Sequence, residues 1–154
     1  MCEKNCPGKI FRIMEYSNKP GGKAFPNITH QTILIIIFMT PLMKKGSQYK
    51  PLYRMCIWRY ILNFNPNGKA KLNNRVEIDF NSMAKNLISI ETYARNNGLR
   101  IKKVIFKINL KDELFNSEYG NQLKNKNIYF VKRLSCKIDK LRDDHYHVDF
   151  AVIK

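Results

Sequence analysis

The stretch DFNSMAKNLISIETYARNNGLRIKKVIFKI, residues 79–108, decides the class of fold of this chain. Its apolar residues recur at helical spacing over residues 80–94, which is typical of an amphipathic helix. Asp79 can cap the start of this helix, and the Asn-Gly pair at 97–98 ends it. A β-branched run over residues 101–108 follows at once. We therefore predict a helix, a tight connection and a strand that packs back on the helix.

Shorter elements are predicted on both sides of this unit. They are a strand buried on both faces at 33–39, a loop at 44–49, a turn at 65–68, one or two short helices at 110–124 broken at Gly120, a strand or extended segment at 128–134 and a terminal strand at 146–153. This order of elements predicts an α+β class, with a small, mainly antiparallel sheet and helices packed on it. We expect one domain over residues 1–154, with a frayed or truncated start at 1–15.

The composition excludes a disordered chain and indicates no membrane span. The chain has 154 residues, of which 44% are hydrophobic and 12% aromatic, so it can bury a core. Its longest apolar run, residues 33–39, is far shorter than the roughly 20 residues that a membrane-spanning helix needs. The polar start MCEKNCP does not resemble a secretory signal, so both a cytoplasmic location and a missing leader stay open.

The charge is strongly positive, since 28 Lys and Arg against 12 Asp and Glu give a formal net charge of +16. The cations are spread along the whole chain. We interpret them as a generally basic surface that attracts polyanions, and we expect no specific nucleic-acid site. The alternative, a nucleic-acid-binding module that uses Lys102, Lys103, Lys132 and Arg133, lacks a Gly-aromatic or helix-turn-helix signature.

The four cysteines do not form a zinc-binding pattern. Cys2 and Cys6 lie close together, but Cys56 and Cys136 do not supply a second pair. A zinc finger or ribbon is therefore not predicted, and disulfide pairing stays open.

The three histidines are the candidates for chemistry. His145 and His147 lie in DDHYHVDF, residues 143–150, and on a strand two residues this far apart project from the same face. A His-x-His pair on a strand commonly binds zinc, with a nearby carboxylate that orients one ring. His30 precedes the buried run at 33–39. The alternative for each histidine is an ordinary surface or hydrogen-bonded residue.

The segment 143–150 resembles the C-terminal signature of penicillin-insensitive murein endopeptidases, which are zinc peptidases of the lysostaphin, D-Ala-D-Ala-peptidase and hedgehog-like fold group. Similar segments occur in the same order, and the likeness covers about residues 12–152. They are YSNKPGGK at 16–23, THQ at 29–31, FMTPL at 38–42, the stretch 78–106, Tyr-Gly at 119–120 and IYFV at 128–131. The resemblance implies a hedgehog/D-Ala-D-Ala-peptidase-like fold, peptide cross-links of peptidoglycan as substrate, and a periplasmic or cell-envelope location.

The resemblance also implies roles for the histidines. In such enzymes zinc is bound by a His, an Asp seven residues later and the second His of His-x-His, while the first His of that pair assists the attack of water. His30 and His147 would then be metal ligands, and His145 would be the assisting catalytic residue. The metal would lower the pKa of its bound water to about 7 and polarise the peptide carbonyl.

The chain departs from the family pattern at the metal motif. Ile37 stands seven residues after His30, where the family has the ligand Asp, and an isoleucine offers no lone pair. Asn27, Arg59 and Arg142 occupy positions where family members tend to carry His, and an arginine cannot replace imidazole as a zinc ligand. We therefore expect zinc-dependent hydrolysis to be weakened or lost.

Carboxylates near the His-x-His pair are candidates to replace the missing ligand or to orient a ligand. They are Asp143, Asp144 and Asp149, and Asp149 is the best candidate because it shares a strand face with His145 and His147. Two plainer alternatives stay open: residues 33–37 form an ordinary core strand, and residues 143–144 belong to a turn. The alternative function is a catalytically inactive family member that still binds peptidoglycan peptides.

Overall fold

The computed structural model describes residues 6–16, 34–54, 62–135, 139 and 144–153. Its strands and helices, in chain order, are β1 Ile13–Tyr16, β2 Ile35–Met39, β3 Leu42–Lys44, β4 Ser47–Gln48, β5 Val76–Ile78, α1 Phe80–Asn96, β6 Leu99–Ile105, α2 Lys111–Asn116, α3 Gly120–Lys124 and β7 His145–Val152. Two 3-10 turns lie at Pro51–Arg54 and Ile108–Leu110.

The strands form two small antiparallel sheets. One has the order β1-β2-β7-β6, and the other has the order β4-β3-β5. The predicted α+β class is confirmed, but the strands divide between two sheets where the sequence had predicted one. The terminal strand β7 lies inside the four-stranded sheet, so the His-x-His segment pairs with a strand on each side.

Helix α1 packs on one face of the four-stranded sheet. The side chains of that face form one hydrophobic core with the apolar side of α1. The sheet contributes Phe38, Val104, Tyr146, Val148 and Phe150, and the helix contributes Met83, Ala84 and Leu87. The Asn86 amide donates a 2.8 Å hydrogen bond to the Tyr146 hydroxyl, and both side chains are fully buried. This bond links the middle of α1 to the strand that carries the histidines.

The start of α1 is capped by Asp79, as predicted. Its carboxylate accepts hydrogen bonds from the backbone N–H and the hydroxyl of Ser82, at 3.0 and 2.7 Å. The ammonium of Lys9 lies 2.6 Å from the same carboxylate. Residues 6–16 therefore pack against the domain, although a frayed start had been predicted for residues 1–15; Cys6 is also buried.

Stability in acid is expected to depend on Asp79. Burial alone raises the pKa of Asp79, but the hydrogen bonds from Lys9 and Ser82 outweigh it and hold the pKa below its usual value. The carboxylate therefore stabilises the fold above its unfolded pKa of about 3.9, and this contribution disappears as the pH falls through the folded pKa. Asp79→Ala should lower the free energy of unfolding at pH 7 by about 1–2 kcal/mol.

Urea denaturation of both proteins at pH 7 and near pH 2 measures this dependence. The difference between wild type and Asp79→Ala should shrink in acid. Asp79→Asn is the matched control, because an asparagine still caps the helix but lacks the charge that attracts Lys9. An unchanged difference between wild type and Asp79→Ala at the two pH values would contradict the prediction.

Two segments differ from or refine the sequence prediction. The loop predicted at 44–49 is instead a hairpin of β3 and β4, turned by Lys45 and Gly46 at φ 51° and 75°. Such a turn favours Asn-Gly, so the Lys-Gly pair did not signal it. The segment predicted as strand or extended at 128–134 runs beside β6, where Val104 N–H donates to Tyr129 O and Val131 N–H to Val104 O.

Within the part of the chain that the structure describes, no helix is long and apolar enough to cross a bilayer.

Candidate functional site

His145, His147 and Asp149 lie on the same face of β7. The strand alternates them with Tyr146, Val148 and Phe150, which enter the core beneath α1. The ring centroids of the two histidines are 5.2 Å apart, and the ring planes differ by 37°. The predicted placement of both imidazoles on one strand face is therefore observed. All three polar residues are buried.

Strand β2 places an isoleucine directly beside the second histidine. In the antiparallel register, Met39 is opposite His145, Ile37 is opposite His147 and Ile35 is opposite Asp149. On the other side of β7, Ile105 of β6 is opposite His147. We call this side of the sheet the histidine face; it consists of Ile35, Ile37, Met39, His145, His147 and Asp149, with Lys103 and Ile105 of β6 beside them. The imidazole of His147 is thus flanked by isoleucines on both neighbouring strands.

Asp144 holds the ring of His145. Its Oδ1 lies 2.6 Å from His145 Nδ1, and both side chains are buried. Thr40 N–H donates to the backbone oxygen of Asp144 at 2.9 Å, which anchors the start of β7 beside the end of β2. A carboxylate at Nδ1 favours the proton on that nitrogen and leaves the lone pair on Nε2. Asp144 is therefore placed to orient the ring of His145, while a role of Asp144 beside a metal stays a prediction.

Asp149 forms an ion pair with Lys103. The ammonium of Lys103 lies 3.2 Å from Asp149 Oδ2, and the side chains are 34% and 2% exposed respectively. Among the residues that the structure describes, none forms a hydrogen bond with Asp149 Oδ1. Asp149, the predicted replacement for the missing metal ligand, thus has one carboxylate oxygen paired with the ammonium of Lys103.

A β-bulge explains why Lys103 reaches this face. The register of β6 against β7 shifts between Ile101 and Lys103. Ile101 and Val104 therefore both enter the core, although an unbroken strand would send them to opposite faces. Lys103 then lies opposite Asp149 and on the histidine face.

Several predicted site residues lie outside the described residues. They are His30, the predicted first ligand, and Asp143, Asn27, Arg59 and Arg142. The role of His30 as a metal ligand therefore stays a prediction. The described structure brings together His145, His147, Asp144, Asp149 and Ile37.

The described part of this site does not by itself fit a zinc ion. Within residues 6–16, 34–54, 62–135, 139 and 144–153, no group of three or more His, Cys, Asp or Glu side chains is arranged to hold a metal. Ile37 offers no donor atom beside His147, and Lys103 brings a positive charge to Asp149. A catalytic zinc site normally uses three protein ligands.

No family model, curated protein or solved structure was found to match the chain. The resemblance to murein endopeptidases therefore rests on the sequence motifs alone.

Sequence reasoning missed the place of Lys103 in this site. From the sequence, Lys103 is considered only as one of the four cations of the alternative nucleic-acid-binding module. A signal was present, because Ile101 and Val104 break the two-residue alternation of an ordinary strand. Such a break indicates a bulge, and a bulge moves every following side chain to the other face.

A separate apolar groove of about 280 Å³ lies on the other side of the four-stranded sheet. It runs between β2 and the second half of α1, and its lining includes Leu34, Ile36, Ile90, Tyr93 and Phe150. None of the candidate site residues lines this groove, so it is not part of the histidine face.

Proposed function

We propose that this chain is a murein-endopeptidase-like domain that binds peptide cross-links of bacterial peptidoglycan and whose zinc-dependent hydrolysis is weakened or lost. The observation that supports it is the pairing of Ile37 with His147. Side chains directly opposite each other on antiparallel strands have Cβ atoms about 4.5–5.5 Å apart. An Asp at position 37 would therefore lie beside His147, as two ligands of one zinc ion do in the family that the motifs resemble.

The histidine face lacks the family's ligand carboxylate for hydrolysis but has a partly exposed cation at its edge, where a peptide could bind. His145 is oriented by Asp144, and Lys103 supplies a cation at the edge of the same face. The ammonium of Lys103, whose side chain is 34% exposed, can donate a hydrogen bond to a carbonyl or carboxylate of a peptide. The net charge of +16 also favours association with an anionic cell wall.

The nucleic-acid alternative gains no support from the described residues. Of its four named cations, Lys103 is engaged with Asp149 on the histidine face. Lys132 and Arg133 are exposed, but they follow an extended segment rather than a helix that could enter a DNA groove.

Zinc affinity of Ile37→Asp tests the proposed function. The new carboxylate restores the family's ligand beside His147, so we expect zinc to bind about 10- to 100-fold tighter than to wild type. The measurement is competition for zinc with a chromophoric chelator, on the full chain after removal of metal. Ile37→Asn is the matched control, because the asparagine side chain has the same size as that of aspartate but carries no negative charge.

Two outcomes would contradict the proposed function. Equal zinc affinity of Ile37→Asp and Ile37→Asn would show that position 37 is not a ligand position. Failure of the wild-type chain to sediment with purified peptidoglycan sacculi at about 0.15 M salt, where exposed charges are screened beyond about 8 Å, would remove the binding activity. His147→Ala in the Ile37→Asp background should abolish the gain in zinc affinity.

A further inference from the structure

The buried Asp149 carboxylate needs a compensating charge. It is 2% exposed, and its cross-strand neighbour on β2 is Ile35, which cannot donate a hydrogen bond. A carboxylate removed from water is destabilising unless it is paired or neutralised. Lys103, 3.2 Å from Oδ2, supplies that charge.

The pairing depends on the bulge in β6 and is therefore built into the fold. Lys102 is the exposed residue at the register shift, and Lys103 follows it onto the histidine face. Without the shift, Lys103 would share a face with Ile101 and enter the core. Because of the bulge, Lys103 lies beside the buried Asp149 carboxylate, while the adjacent Lys102 is exposed to solvent.

We propose that Lys103 is the resident cation of the histidine face, where its ammonium supplies Asp149 with the positive charge that a divalent ion would otherwise bring. His147 and Asp149 are two residues apart on one strand face, so an ion that reached both would meet the carboxylate that Lys103 holds. The lysine and a divalent ion therefore compete, and the lysine favours the metal-free state. This role of Lys103 rests on the proposed function, and it identifies the residue that stabilises the site in the absence of zinc.

Lys103→Met, compared with Lys102→Met, tests this role. Both variants remove one positive charge from β6, but Lys103→Met alone leaves Asp149 without its cation. We expect the melting temperature to fall by about 5–10 °C for Lys103→Met and by less than about 2 °C for Lys102→Met. Zinc should bind Lys103→Met at least about tenfold tighter than Lys102→Met, and it should raise the melting temperature of Lys103→Met alone.

A double variant keeps the test decisive if Lys103→Met fails to fold. Lys103→Met combined with Asp149→Asn removes the buried negative charge together with its partner, so at least half of the lost thermal stability should return. A double variant that is no more stable than Lys103→Met would overturn the inference. Equal zinc affinity of Lys103→Met and Lys102→Met would also overturn it.

These results are separable from the test of the proposed function. Equal zinc affinities of Ile37→Asp and Ile37→Asn remove the proposed function, whatever Lys103 does. A clear gain for Ile37→Asp with no difference between the two lysine variants leaves the proposed function intact and removes only the role of Lys103.

Discussion

Glu91→Ala is expected to lower the free energy of unfolding by about 3 kcal/mol. The Glu91 side chain is 1% exposed, and it lies on the side of α1 that faces the sheet. Its Oε2 accepts a 2.7 Å hydrogen bond from the backbone N–H of Ile101, and its Oε1 accepts one from Arg95 Nε at 2.6 Å. Alanine removes the acceptor of a buried N–H at the bulge of β6 and leaves space beneath α1. The loss is therefore larger than that of a surface ion pair.

Urea denaturation of three variants separates these contributions. Arg95→Ala removes the half-exposed cation and leaves the buried Glu91 carboxylate with the hydrogen bond from Ile101 N–H, so it should cost about 1–2 kcal/mol, less than Glu91→Ala. Glu91→Gln retains an oxygen that accepts from Ile101 N–H, so its loss should be intermediate. Equal losses for Glu91→Ala and Arg95→Ala would show that the bond to Ile101 does not stabilise the fold.

Gly120→Ala is expected to destabilise the protein by about 3 kcal/mol, the upper end for overpacking. A Cβ atom at residue 120 would meet the backbone C=O of Phe115 and would lie 2.8 Å from the carbonyl oxygen of Leu114. These are backbone atoms of α2, so relief requires that α3 move away from α2. The backbone N–H of Gly120 also donates to Ser117 O at 2.8 Å, and such a movement would lengthen this bond.

Thermal unfolding measures this effect against Gly46→Ala. Gly46 has φ 75° but nothing within 4 Å of a Cβ, so alanine there brings backbone strain of about 1 kcal/mol without a clash. For a chain of this size, Gly120→Ala should lower the melting temperature by about 6–12 °C. A decrease no larger than that of Gly46→Ala would show that α2 and α3 separate easily.

The helix with its neighbouring strand could be predicted because its signals are local. Asp79 at the N-cap, the apolar spacing of α1 and the Asn-Gly stop all act within a few residues of one another. The hairpin at Lys45 and Gly46 could not be predicted in this way, because a non-glycine residue there adopts a positive φ. Its two strands pair with each other and β3 also pairs with β5, so strand pairing rather than turn chemistry holds the hairpin.

The candidate site could be predicted only along β7. The alternation of His145, His147 and Asp149 with apolar residues is visible in the sequence. The neighbours of these residues are set by pairing with distant strands, which places Ile37 beside His147 and Lys103 beside Asp149. A register of this kind follows from how β2, β6 and β7 bury their shared face, and no short window of sequence contains that information.

The hydrogen bond between Asn86 and Tyr146 stabilises the register of β7 in the sheet. Tyr146 lies between the two histidines in the sequence, and its hydroxyl accepts a hydrogen bond from the side-chain amide of Asn86, on the buried side of α1. If β7 shifted by one residue, the imidazoles would turn toward the hydrophobic interior and Tyr146 would lose its hydrogen bond to Asn86. This hydrogen bond therefore favours the observed register of β7, which keeps both imidazoles on the opposite side of the sheet from α1.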